Sequence, residues 1–189
     1  MPRQVDHARR RRQIAEAVWR LAGRGGLEEV TLRQVAAEAD VSVRLVQYYF
    51  GTRDDLLLGA LEIINADAGE RARERVEAQG PGLREIVRAV LLELLPLDEE
   101  RRARHVVYAA YFVRFLADAG LRAAIQDDPD ALETMVAALL ADVTESPGDE
   151  AAFLVAAAGG LQGQILLGHR TEADAVRLID RQLDRVFRV

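Results

Sequence analysis

Apolar residues along the chain recur at spacings of three and four, and no segment settles into the strict alternation of a half-buried strand. The pattern predicts helices throughout. Ile14, Val18 and Leu21, with Ala15 and Ala22, give a first amphipathic helix closed by Gly23, Gly25 and Gly26. Thr31 is suited to cap a second over 32–39, where Leu32, Val35 and Ala36 share a face. Ser42 caps a third through Tyr49, and Thr52 a fourth, with Asp54 and Asp55 at the positive end of its dipole. That fourth helix runs to about Gln79, where Gly80-Pro81-Gly82 stops it. Further helices are predicted at 83–95, 98–119, 121–126, 129–144, 149–168 and 172–187. Pro96, Gly120 and Ser146-Pro147-Gly148 punctuate them, and Thr171 with Asp174 resembles a capping box opening the last.

Composition sharpens this all-α expectation. At 189 residues and 50% hydrophobic, the chain can bury a real core as one domain, or as one domain with a small module. With no cysteine there is no disulfide, thiolate metal site or thiol nucleophile. No apolar stretch follows the N-terminal arginines as in a secretory signal, which points to the cytoplasm. The net charge of -6 argues against a nucleic-acid partner until its distribution is considered. Residues 1–53 hold 10 arginines against 6 acids, and residues 54–189 hold 15 against 25. A basic head that meets an anion is carried on an acidic body.

The stretch Thr31 to Phe50 has the layout of a helix-turn-helix. Ala36 is small enough for two helices to cross closely. Asp40 sits at a turn position that demands a left-handed backbone, which Gly adopts most easily and Asp tolerates. Val35, Val41, Val46 and Phe50 supply apolar pins, leaving Val43, Arg44, Gln47 and Tyr48 on the outer face of the third helix. Arg pairs bidentately with guanine, Gln with adenine, and Val packs on a thymine methyl, so this face suits a major groove.

The run Thr31-Leu32-Arg33, Val41-Ser42 and Tyr48-Tyr49-Phe50-Gly51-Thr52-Arg53-Asp54-Asp55-Leu56-Leu57 resembles the DNA-binding signature of the TetR family of transcriptional regulators. That resemblance implies a three-helix head over 1–52, a ligand-binding and dimerisation body over 53–189, and a homodimer built on the last two helices. It also implies that Arg33, Tyr49 and Arg53 touch backbone or flanking bases. Thr31 and Ser42 complete the expected DNA-binding set. Two departures stand out: Arg53 replaces the usual Lys, and Gln47 a common Tyr, which bears on the operator sequence.

Residues 151–168 carry no charge, reaching the length of a membrane span, but their four glycines, Gln162 and Gln164 argue for a buried helix instead. Gly159 and Gly163 have the spacing that lets helices approach closely, with Leu166 on the same helix. Leu178, Ile179, Leu183, Val186 and Phe187 stripe the last helix. A dimer interface of these two helices is the preferred reading, with an intrachain core as its alternative.

Four of ten aromatics fall between Tyr108 and Phe115. Spacing places Tyr108, Phe112 and Phe115 on one face, with His105 a turn earlier, the composition of a small-molecule pocket or of plain core. Met135, Leu91 and Leu95 are weaker pocket candidates. No His has a Glu three residues before it, so a di-metal carboxylate bundle is not supported, and no P-loop, nucleophile elbow or dinucleotide motif occurs. The sequence thus predicts no enzyme, metal or cofactor. It predicts a homodimeric repressor that binds a palindromic double-stranded DNA operator through the helix at 42–49 and is relieved by a small apolar or amphipathic effector, with no membrane role. A dimeric DNA-binding protein without a ligand is the alternative, and a helical-bundle enzyme a remote one.

Overall fold

The computed structural model describes residues 2–78, 82–124 and 131–187. All regular structure among them is helical. The elements are α1 (Pro2–Gly25), a 3-10 turn at Leu27–Glu29, α2 (Leu32–Glu38), α3 (Val43–Phe50), α4 (Arg53–Glu77), α5 (Leu83–Glu93), α6 (Glu99–Ala117), α7 (Ala119–Ala124), α8 (Ala131–Leu140), α9 (Pro147–Leu166) and α10 (Glu172–Val186). The Gly80-Pro81 part of the predicted stop, and the facing ends of the predicted 121–126 and 129–144 segments, lie outside the described residues.

Local chemistry sets most boundaries. The hydroxyls of Thr31, Ser42 and Thr171 accept from the backbone N–H of Gln34, Leu45 and Asp174 at 3.2, 3.2 and 3.1 Å. Thr52 and Asp55 cap α4 reciprocally: Thr52 Oγ1 accepts from Asp55 N, and Asp55 Oδ2 accepts from Thr52 N. These bonds hold the Asp55 carboxyl below its ordinary range. Three boundaries differ from the sequence reading. Pro147 opens α9 rather than ending the segment before it, because its missing N–H costs nothing in a first turn. Asp118, not Gly120, divides α6 from α7: its Oδ1 accepts from the N–H of Gly120 and Leu121 at 3.0 and 3.1 Å. The segment predicted to reach 144 stops at Leu140 and closes as a turn, Val143 N donating to Leu140 O at 2.9 Å.

The chain packs as two compact units, residues 1–70 with 106–127 and residues 71–105 with 128–189. In the first, Ile14, Ala15 and Val18 of α1 bury against Val35 and Ala36 of α2, Val46 and Phe50 of α3, and Leu56, Leu57 and Ala60 of α4. Val107, Tyr111 and Phe115 of α6 join that core. Tyr111 is 2% exposed, and its hydroxyl donates to Leu57 O at 3.0 Å. Tyr111→Phe is expected to cost about 1 kcal/mol, lowering Tm by about 2–4 °C in a scanning calorimeter.

The second unit is cored by Val87, Val90 and Leu91 of α5 and Leu95 just after it, by Val136 and Leu140 of α8, by Leu154, Ala158 and Ile165 of α9, and by Ile179, Leu183 and Val186 of α10. Arg84 reaches Asp184 at 2.7 Å, tying α5 to α10. Leu91 and Leu95 are fully buried within this core.

Candidate nucleic-acid interface and effector residues

The helix-turn-helix is set by its turn. Asp40 has φ 51°, the left-handed value its position requires. Val41 N donates to Ala36 O at 2.9 Å, drawing the chain back across the end of α2. From α1, Gln13 Nε2 donates to Ala39 O at 2.6 Å and braces the same turn. Val46 and Phe50 then bury one side of α3 and leave the other free. Gly51, at φ 81°, ends the helix by donating to Gln47 O at 2.9 Å.

On that outer side Ser42, Val43, Arg44, Gln47 and Tyr48 are exposed, Tyr48 by 71%. Thr31 and Arg33 are exposed at the start of α2. Tyr49 is half-buried, its ring 5.2 Å from that of Tyr48 and 5.5 Å from that of His7. Arg53 is placed differently from a free phosphate contact. Its Nε donates to Val30 O at 2.7 Å and its Nη2 to Leu27 O at 2.6 Å, closing the short turn before α2.

Two contributors were not legible in the sequence. The apolar pattern reveals α1 only from about Ile14, yet the helix begins at Pro2 and its early turns meet α3 through His7. Arg12 is fixed to Asp67 of α4 by bonds of 2.9 and 2.8 Å, which raise its pKa. Both are contacts between distant positions and leave no spacing to read.

The aromatic stripe of α6 needs a correction. Tyr108, Phe112 and Phe115 do not share one buried face: Phe115 is 9% exposed, while Phe112 is 63% exposed. The buried side is Arg104, Val107, Tyr111 and Phe115, at spacings of three, four and four. At about 100° per residue, Tyr111 in the core turns Phe112 outward. Tyr108 is half-buried, its hydroxyl bonded to Asn65 Oδ1 at 2.7 Å and its ring edge-on to Trp19 at 5.6 Å. Met135 is exposed.

His105 is 4% exposed in the second unit, and burial, then the charge of Arg104, push its pKa down to about 4. The folded state therefore favours neutral His105, whereas the unfolded chain takes up a proton near 6.5. Stability is expected to fall as pH drops from about 6.5 towards 4, by roughly 3 kcal/mol from this group. Urea unfolding across that range should show a shallower dependence in His105→Asn than in the wild type.

For the proposed interface, the structure divides the candidates. A Cβ built on Gly159 or Gly163 meets no heavy atom within 4 Å, so both glycines front open space. Leu166 and Leu178 are half-buried, and Leu178 lines a groove of about 430 Å³ with Phe153, Leu161, Gln164 and Arg170. Leu183 and Val186 are corrected to intrachain core, at 0% and 5% exposed. The strongly amphipathic α10 turns its apolar stripe onto α9 and α5 of its own chain. No described helix is long and apolar enough to cross a membrane.

Residues 14–60 match the profile of bacterial regulatory proteins of the tetR family, and residues 83–188 that of the BetI-type transcriptional repressor C-terminal region. The regulator PksA of Bacillus subtilis is 35% identical over 111 residues, covering 59% of this chain and 54% of that protein. The chain thus spans about half the length of the curated relatives it matches. A transcriptional regulator from Rhodococcus sp. RHA1 superposes with TM-score 0.80 at 26% identity, covering 94% of this chain and 96% of that one. The multidrug binding protein EbrR, solved with imidazole, gives 0.63 at 30% identity, covering 92% and 89%. With the head and the body each matched by a profile of the same family, the chain belongs to the TetR family of transcriptional regulators.

Proposed function

We propose that this chain is a DNA-binding transcriptional repressor, acting as a homodimer in the cytoplasm and relieved by a small apolar or amphipathic effector. The observation that carries the reading is the exposed face of α3, where Val43, Arg44, Gln47 and Tyr48 stand free of the core. By this reading residues 1–52 are the part that reads DNA, and residues 53–189 the part that takes the effector and dimerises. The compact unit that holds the head also includes residues 53–70 and 106–127. In this reading α3 of each copy enters a major groove, and the copies read half-sites one helical turn apart, ~34–36 Å. Thr31, Arg33 and Tyr49 hold phosphates at the groove edges. The effector shifts the population only by binding the DNA-free conformation more tightly. The BetI-type repressor match supports the repressor reading, and EbrR, a multidrug binding protein, supports a body that takes a small molecule.

A salt titration tests the electrostatic part. Binding to a mixed-sequence duplex should weaken steeply between 50 and 200 mM salt, in proportion to the phosphates neutralised, ~0.9 in slope per contact. Binding that ignores salt would remove the head from the backbone. Arg53→Ala is expected to lower affinity for all sequences about equally. It should also lower Tm, because Val30 O and Leu27 O lose a charged donor. Calorimetry and anisotropy on the same variant separate the two effects.

A further inference from the structure

The DNA contacts placed on α2 and α3 leave the first turns of α1 without a role, although those turns touch α3. The His7 ring lies 5.5 Å from that of Tyr49 and 6.5 Å from that of Tyr48, and the two tyrosine rings are 5.2 Å apart. Tyr48 is exposed, and His7 is half-buried against it. One turn further along α1, Arg11 is exposed and lies over the Phe50 ring at 5.3 Å. Gly59 of α4 leaves room for both: a Cβ there would stand 3.0 Å from the Phe50 ring and 3.7 Å from Arg11 Nη2. Of the four consecutive arginines, Arg9 pairs with Asp6 at 3.3 Å and Arg12 with Asp67 at 2.8 Å. Arg10 bonds the neutral Gln13 at 2.8 Å, and among the described residues no carboxylate pairs with Arg10 or Arg11. These turns lie ahead of residue 14, where the family profile begins to match, so the family likeness assigns them no role.

Residues four apart on a helix share a side, so His7 and Arg11 point the same way. A guanidinium stacked on a ring keeps its N–H edge free for an oxygen acceptor, and an imidazole offers an N–H as well. Such donors beside a base-reading helix hold the DNA backbone and fix the register of that helix without reading sequence themselves. We propose that the first turns of α1 are a second DNA-contacting element, in which His7 and Arg11 donate to backbone phosphates next to the bases that α3 reads. This rests on the reading above that α3 enters the major groove, and it adds residues to that contact. The placement favours DNA over a free anion. His7 and Arg11 line a groove between α1 and α4, but Glu62 lines it too and Arg12 is already answered by Asp67. The groove is therefore no closed anion cage, whereas a strand of DNA held by α3 runs past its His7 edge. The His7 ring also braces Tyr49, the neighbour expected to hold a phosphate itself.

The test uses the full chain, its selected operator and an unrelated duplex of equal length. Ethylation interference should mark phosphates flanking each half-site in the wild type, and at least one of those marks should vanish in Arg11→Ala while the others remain. The slope of log affinity against log salt should become shallower in Arg11→Ala by one contact per chain, ~0.9, on operator and unrelated duplex alike. If Arg11→Ala fails to fold by circular dichroism, Arg11→Gln keeps a stem over Phe50 and must show the same loss. His7→Phe keeps a ring against Tyr49 without an N–H, and should bind severalfold more weakly with unchanged base preference. An unchanged salt slope without Arg11, an interference pattern the same with and without it, or wild-type affinity in His7→Phe would overturn the proposal. So would inorganic phosphate raising the Tm of the wild type but not of Arg11→Ala, relative to chloride at equal ionic strength, since the site would then serve a free anion. A wild type that selects no operator sinks the underlying reading, whereas operator selection with flanking phosphates unmarked sinks only the role of α1.

Discussion

Gly163→Glu is expected to turn the protein into a folded monomer and to abolish specific operator binding. The expectation follows from what surrounds this residue within one chain. A Cβ built there meets no heavy atom within 4 Å, and the helix position is otherwise ordinary, so a single chain accommodates the longer side chain. A second chain packed on the same glycine face would not. It would bury a carboxylate without a partner, a penalty of several kcal/mol per ion. Without the dimer, each head reads one half-site alone and loses the gain in affinity from a linked second contact, which is commonly ~10²- to 10⁴-fold. Sedimentation velocity gives the mass and circular dichroism the fold. A variant that stays dimeric and binds as the wild type would move the interface off α9.

Gln47→Ala should weaken operator binding by ~1–3 kcal/mol and relax the preference at one base position in each half-site. Gln47 lies on α3 between Arg44 and Tyr48, and all three are exposed. Its amide is therefore available to pair with a base edge, where adenine offers the matching acceptor and donor. Truncation removes both bonds while leaving the buried side of the helix, Val46 and Phe50, intact. Anisotropy titrations on the selected operator and on its single-base variants read both effects. Unchanged affinity with unchanged preference would show that another element reads the bases.

What the sequence made legible is local. Each cap that Thr31, Ser42, Thr52 and Thr171 offers forms as their spacing predicts, because a capping bond spans three residues and needs no distant partner. Asp40 likewise adopts its left-handed backbone because the turn itself demands it. The exposed face of α3 was legible by subtraction, since its apolar pins are few and Val43, Arg44, Gln47 and Tyr48 face outward. What stayed hidden depends on packing partners. Tyr111 and Phe112 are adjacent aromatics, and it is Tyr111 that turns inward, where it packs with Val107 and Phe115 and bonds Leu57 O. The stripe of α10 could serve a partner chain or its own, and Leu183 and Val186 lie against the latter. Arg53 matched a phosphate-contacting position, yet two carbonyls lie nearer to hand. Glu93 draws arginines from two other helices, which no periodicity could bring together.

The most direct test of the repressor reading is selection of binding sites from a pool of random duplex DNA by the full chain at physiological salt. The expected result is one enriched sequence with two-fold symmetry, its half-site centres about 10 base pairs apart or a multiple of that. Repeating the selection with Gln47→Ala should blur one position in each half-site and leave the symmetry and spacing unchanged. Enrichment of no sequence, or of a site without two-fold symmetry, would contradict a dimer reading paired half-sites through α3.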